Sequence, residues 1–145
     1  MVDAGLPRRG GAVSTSLALQ GALVARLKAD ADVTVIVGGR VFDAVPAEAA
    51  FPYVSLGEDQ VLPDGADCYD GEDVRSTLYL WSRAVGYPEI KRLAAAVEAA
   101  IDDDMAVPGY RIVSIAVTDT RFLRDADGLT SRAVLTLQTL IEPAD

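Results

Sequence analysis

Between Val74 and Arg83 the chain alternates, placing Val74, Ser76, Leu78, Leu80 and Ser82 on one side and Arg75, Thr77, Tyr79, Trp81 and Arg83 on the other. A period of two predicts a strand, here with one apolar face and one aromatic face whose ends are charged. Past Gly86-Tyr87-Pro88 the pattern turns helical, with Ile90, Leu93, Ala94, Val97 and Ile101 in one stripe and Lys91, Arg92, Glu98 and Asp102 opposite. Pro88 suits the first helical position, where its missing N–H is not needed, and Glu89 lies where the helix dipole favours negative charge. Each element has one apolar side to bury, so the pattern predicts the helix laid across the sheet to which the strand belongs.

Upstream, Ser14, Thr15 or Ser16 caps a helix in which Leu19, Leu23 and Leu27 recur with Val24 beside them. Ala18, Ala22, Ala25 and Ala29 line a second face, so this helix can pack on both sides, and Asp30 to Asp32 end it. The β-branched run Val33 to Val37 reads equally as a strand or as the tail of the helix connection, and Arg40 to Val45 as a short extended piece. Pro52 to Leu56, with Phe51 in front, predicts a strand whose leading proline marks a strand start or a sheet edge. Between Gly57 and Val74 lie Glu58, Asp59, Asp64, Asp67, Asp70, Glu72 and Asp73 with no basic residue among them, which reads as a long acidic loop of the kind that carries function or disorder. Tyr110 to Val117 alternates as a strand, with Thr118 to Leu123 as its extension. Asp127-Gly128 signals a hairpin leading into Ser131 to Ile141, so the last two strands pair antiparallel.

This order predicts an α+β domain with a mainly antiparallel sheet of about four strands and two helices packed on one face. Residues 1–13, rich in Gly, Pro and Arg, form a flexible N-terminal arm, residues 14–142 the single domain, and residues 143–145 a polar tail. The sheet face bearing Arg75, Tyr79 and Trp81 is left partly open, a place for another subunit to dock.

Composition narrows the function classes. At 145 residues the chain makes one domain with a sizeable core. A net charge of -9 argues against a grip on DNA phosphates. One cysteine, Cys68, makes no internal disulfide and suits a reducing compartment. Histidine is absent, which removes the commonest general base and metal ligand. The N-terminus lacks the apolar core of a secretory signal, and no run approaches membrane-spanning length, so no membrane partner is expected. Gly38-Gly39 has neither the Walker nor the dinucleotide spacing.

Three sets of residues compete with that reading. Asp102, Asp103 and Asp104 close a helix where negative charge is unfavourable and so face water; the alternative is a metal-dependent hydrolase using them or the loop carboxylates. The loop itself does not match an EF-hand spacing. Tyr79 and Trp81 as walls of a small-ligand pocket give a further alternative. The residue pattern favours none of these: it predicts no catalytic, cofactor or metal residues.

The ordered motifs carry a resemblance. An early helix with Leu-x-x-x-Leu-x-x-x-Leu spacing precedes Gly-Gly-Arg-Val-Phe-Asp-Ala-Val-Pro at residues 38 to 46 and Phe-Pro-Tyr-Val-Ser-Leu-Gly at 51 to 57. Asp-Gly-Glu-Asp at 70 to 73 then leads into Leu-x-Leu-Trp-Ser-Arg at 78 to 83, and Asp-Gly-Leu-Thr-Ser-Arg-Ala opens the last strand at 127 to 133. From Leu17 to Glu142 the chain resembles the tail-completion or tail-terminator proteins of long-tailed bacteriophages and gene transfer agents. The resemblance implies a structural virion protein, not an enzyme. It implies a homo-oligomeric, commonly hexameric, ring at the head-proximal end of the tail tube that halts tube polymerisation and joins the tail to head-completion (stopper) proteins. Its partners would be further copies of itself, the major tail-tube protein and the stopper, with DNA passing through the lumen unbound. It would be assembled in the bacterial cytoplasm and reside at the head-tail joint. Interface candidates on this reading are Phe51, Tyr53, Asp64, Asp67, Tyr69, Asp70, Arg75, Tyr79 and Trp81, and an acidic lumen built from Asp64, Asp67, Asp70 and Glu72 would repel DNA.

Overall fold

The computed structural model describes residues 14–63 and 71–144. In chain order the elements are α1 (Thr15–Ala29), α2 (Ala31–Val37), β1 (Val41–Phe42), β2 (Tyr53–Pro63), β3 (Glu72–Ser82), α3 (Pro88–Ala100), β4 (Tyr110–Arg124) and β5 (Ser131–Pro143). The strands form one sheet in the order β1-β2-β3-β5-β4, antiparallel except for the short parallel β1–β2 pair. The fold is α+β, with five strands where the sequence pattern suggested four and three helices where it suggested two.

The third helix is α2, formed by the run that read as either strand or connection. Asp30 decides it: its carboxylate accepts the Val33 N–H at 3.0 Å and caps the helix, while Val33 and Val37 are fully buried. The β-branched residues lose some χ1 freedom in a helix, and burial of that face offsets the loss. Ser14 caps α1 by accepting the Leu17 N–H at 3.2 Å.

Both described ends of the expected acidic loop are strand. β2 and β3 stay paired from Tyr53↔Trp81 out to Pro63↔Glu72. An irregularity between Leu56 and Asp59 inserts one extra residue in β2, so the side-chain alternation slips and the apolar pattern breaks off at Leu56. Asp64, Asp67, Tyr69 and Asp70 lie outside the described residues, as does the arm of residues 1–13. Nor is Phe51 to Leu56 a free sheet edge, because β1 pairs with Val54 and Ser55. Irregularities in β4 at Ile112/Ser114 and Val117/Asp119 likewise replace the straight alternation expected there; Ile112, Ile115, Val117 and Phe122 thereby all pack against the core.

One face of the sheet and the helices enclose that core. Val54, Val74, Leu78, Leu80, Ala133, Leu135, Leu137 and Ile141 from the strands meet Leu19, Leu23 and Leu27 of α1, Val33 and Val37 of α2, and Ile90, Leu93 and Val97 of α3. The α1 alanine face is only half used within the chain: Ala18 and Ala22 are buried, whereas Ala25 and Ala29 are exposed.

Candidate functional site

With the helices on one side, no described helix lies over the opposite face of the sheet, where Tyr53 and Ser55 are buried by their neighbours and Phe42, Phe51, Tyr79 and Trp81 are half-buried. Along β3 this face carries Asp73, Arg75, Thr77, Tyr79 and Trp81, and register places Tyr53 and Ser55 of β2 and Arg132 and Val134 of β5 beside the two aromatics. Aromatic side chains therefore gather from separate strands. Tyr53 stacks with Trp81 at 6.1 Å between ring centroids, Tyr79 lies 6.2 Å from Trp81, and Phe51 and Phe42 flank Tyr53 at 5.0 and 5.7 Å. The Trp81 indole N–H donates to Ser55 Oγ at 3.0 Å, which fixes the ring in the plane of the patch.

Two arginines lie on this platform. The Arg132 guanidinium sits 5.4 Å from the Trp81 centroid and 5.9 Å from that of Tyr79, and Arg83 sits 4.2 Å above Phe51, an arrangement in which the ring faces attract the cation. Arg83 is oriented from the hairpin: its Nε donates to Thr130 Oγ1 at 3.1 Å, and that hydroxyl donates to Asp127 Oδ2 at 2.8 Å.

Tyr79 owes its position to a glycine. A Cβ on Gly57 would stand 2.4 Å from the Tyr79 ring, so the absence of a side chain lets the ring lie across β2. There the Tyr79 hydroxyl donates to Glu58 Oε1 at 2.8 Å. That bond pushes the Tyr79 phenol above its ordinary range, while Glu58 is held low by its backbone hydrogen bond and then by Tyr79. Burial raises the Tyr53 phenol.

Of the interface candidates, Phe51, Tyr53, Tyr79 and Trp81 thus come together in one patch. Arg75 does not join them. It lies at the other end of β3, paired with Asp73 at 3.0 Å, and Gln138 donates to the same carboxylate oxygen at 3.0 Å; the guanidinium and these donors hold Asp73 below the usual carboxylate range. Sequence reasoning missed Arg83, Arg132, Phe42 and Ser55. All four stood in quoted motifs, but Arg132 and Ser55 become neighbours of Trp81 only once strand order is fixed.

Among the described residues the competing chemistries find no centre, and the loop carboxylates Asp64, Asp67 and Asp70 lie outside them. Asp104 pairs with Arg26 at 2.8 Å and Asp102 accepts the Asp103 N–H, so these carboxylates serve the surface and the loop backbone. Among the described residues no three metal-capable side chains converge. Glu72, one of the carboxylates expected in an acidic lumen, accepts a hydrogen bond from the Thr15 hydroxyl on the helical side. Two recesses flank α1, one a shallow apolar groove of about 340 Å³ along Leu17, Gly21 and Ala25, and neither is lined by Tyr79 or Trp81.

A comparison with curated protein sequences returned no match. Among solved structures, the chain is similar to one from the virion of a native gene transfer agent (GTA) particle, at 28% identity and a TM-score of 0.82, covering 90% of this chain and 99% of that one. It shares its fold with the gp17 protein of bacteriophage SPP1, at 20% identity and a TM-score of 0.62, covering 90% and 91% of the two chains. The family model for tail completion protein gp17 matches residues 21–142. The chain belongs to this tail completion family, whose members are structural components of phage and gene-transfer-agent virion tails rather than enzymes.

Proposed function

We propose that this tail completion protein closes the head-proximal end of the tail tube as a homo-oligomeric ring, hexameric in number. In that position it ends tube polymerisation and joins the tail to the head-completion protein. A virion tail component associates with other tail and head proteins; the specific neighbours proposed here are the major tail-tube protein on one side and the stopper on the other. DNA passes through the lumen without specific binding, in keeping with a net charge of -9. Assembly takes place in the bacterial cytoplasm, and the mature location is the head-tail joint.

The observation that carries this reading is the similarity to a chain of a gene transfer agent virion over 99% of that chain's length. The open aromatic face adds to it. An aromatic patch left half-buried on one subunit is the kind of surface that assembly covers further. Phe51, Tyr53, Tyr79 and Trp81 are the proposed contact residues, with the described acidic arms of the β2–β3 hairpin and residues 1–13 as further contacts to the neighbouring proteins.

The experiment is removal of the gene from a particle-producing strain, followed by microscopy of the particles. The expected result is tails of unregulated length that fail to join heads, restored by the wild-type gene. Tails of normal length joined to full heads would overturn the proposal.

A further inference from the structure

At the end of the sheet away from the β2–β3 hairpin, the β3–α3 turn and the β4–β5 hairpin tip stand side by side: Ser82 pairs with Ser131 in register, and Arg83 donates to Thr130 at 3.1 Å. Each presents an aliphatic side chain to solvent, Val85 at 98% and Leu129 at 70% exposure. Both turns are held by their own hydrogen bonds. Ser82 Oγ accepts the Ala84 N–H at 3.1 Å and donates to Glu89 at 2.7 Å, and Asp127 accepts the N–H groups of Leu129 and Thr130. The two side chains are therefore displayed on ordered backbone, where burial against a partner costs little further ordering.

Beside them stand two cations without a counter-charge. Tyr87 has the Arg124 guanidinium 4.6 Å and the Lys91 ammonium 5.6 Å from its ring centroid, and Lys91 is also 5.2 Å from that of Phe122. Both cations are exposed, and neither forms an ion pair among the described residues. The carboxylates of this end are engaged elsewhere: Asp127 with its own loop and the Thr130 hydroxyl, Glu89 with Ser82, and Asp125 nearest to Arg132. Like charges gathered around one ring raise each other's energy, and an anion received by both removes that cost.

We propose that this end of the sheet docks a different virion protein, one that offers a carboxylate to Lys91 and Arg124 from among apolar side chains that cover Val85 and Leu129. This rests on the ring reading above and specifies a contact with a neighbour other than a copy. The unpaired cations select an acidic partner. The adjoining aliphatic side chains select protein over DNA, whose phosphate backbone answers the charge and leaves Val85 and Leu129 wet. A further copy fits poorly: the carboxylates Asp59 and Glu72 at its opposite end already accept from Ser16 and Thr15. Stacked here through that end, copies would also repeat without closing, whereas the chain is read as ending a tube. Tyr and Arg beside an aliphatic contact are the residue types from which interface anchors are drawn.

Lys28 and Lys91 are the only lysines of the chain, so carbodiimide treatment of intact particles, which condenses a lysine amine with a carboxylate in contact with it, reads the pairing directly. The expected result is an amide between Lys91 Nζ and an Asp or Glu of another virion protein, located by mass spectrometry of the digested particle. An amide to a further copy of this chain, or none at Lys91, as contact with DNA or solvent would leave it, would overturn the inference while leaving a ring at the joint intact. Lys91→Arg, which keeps the charge and removes the amine, should abolish that cross-link and assemble as wild type. In complementation, Lys91→Glu combined with Arg124→Glu, and separately Val85→Asp, should lower the yield of joined particles about tenfold or more. Their melting temperatures should match wild type, because these side chains are exposed in the single chain. Wild-type particle yield from either variant would contradict the inference.

Discussion

Gly57 and Tyr79 show how a single atom position sets the surface. Gly57→Ala places a methyl group where the ring lies, so Tyr79 must turn away and release Glu58. The Tyr79 phenol, raised by its bond to that carboxylate, should then titrate closer to the ordinary value near 10. Ring resonances followed by NMR through alkaline pH check this, and an unchanged Tyr79 midpoint would mean that the ring had not moved. At the other end of the patch, Asp127 accepts the N–H groups of Leu129 and Thr130 and so holds its carboxyl below the usual range. A depressed folded pKa stabilises the native state above the unfolded value of about 3.9 and loses that effect as pH falls through the lower folded value. Asp127→Asn should therefore melt below wild type at neutral pH, with the gap closing under acid; a gap that persists at pH below the folded value would contradict the assignment.

Local chemistry wrote some elements plainly and hid others. β3, α3 and β5 were legible because their periods run unbroken: Val74 to Ser82 alternates throughout, and Ile90, Leu93 and Val97 keep one helical stripe. β2 and β4 were only half legible, since their irregularities shift which side of the strand is apolar. β1, just Val41–Phe42, falls within the piece Arg40 to Val45 that read as extended, but only its pairing with β2 makes it a strand of the sheet. For α2 a β-branched run competed with a cap, and Asp30 won. Replacing that cap with Asp30→Ala should cost about 1 kcal/mol, measured by denaturant unfolding. Leu80→Ala, at a fully buried position between the sheet and the helices, should cost about 2–5 kcal/mol in the same assay. A Leu80→Ala loss below that of the cap would show that the face opposite Trp81 is not the core.

At the scale of the molecule, the open face was foreseen from the aromatic side of one strand, whereas its chemistry was not. Tyr79 and Trp81 were legible as aromatics on one face of an alternating strand, whereas Phe51 and Tyr53 were named as interface candidates through the family resemblance. Arg132 was not, because its partnership with Trp81 depends on β5 lying beside β3, a long-range pairing across α3 and β4. An aromatic patch left half-buried on the sheet face away from the helices suits assembly with other virion proteins. The central claim is that this family member works as a ring at the joint between tail and head. Cryo-microscopy of the intact particle tests it most directly: the account predicts a closed ring of this chain at the head-proximal end of the tail tube. Density for the chain elsewhere in the particle, or none at that joint, would contradict it.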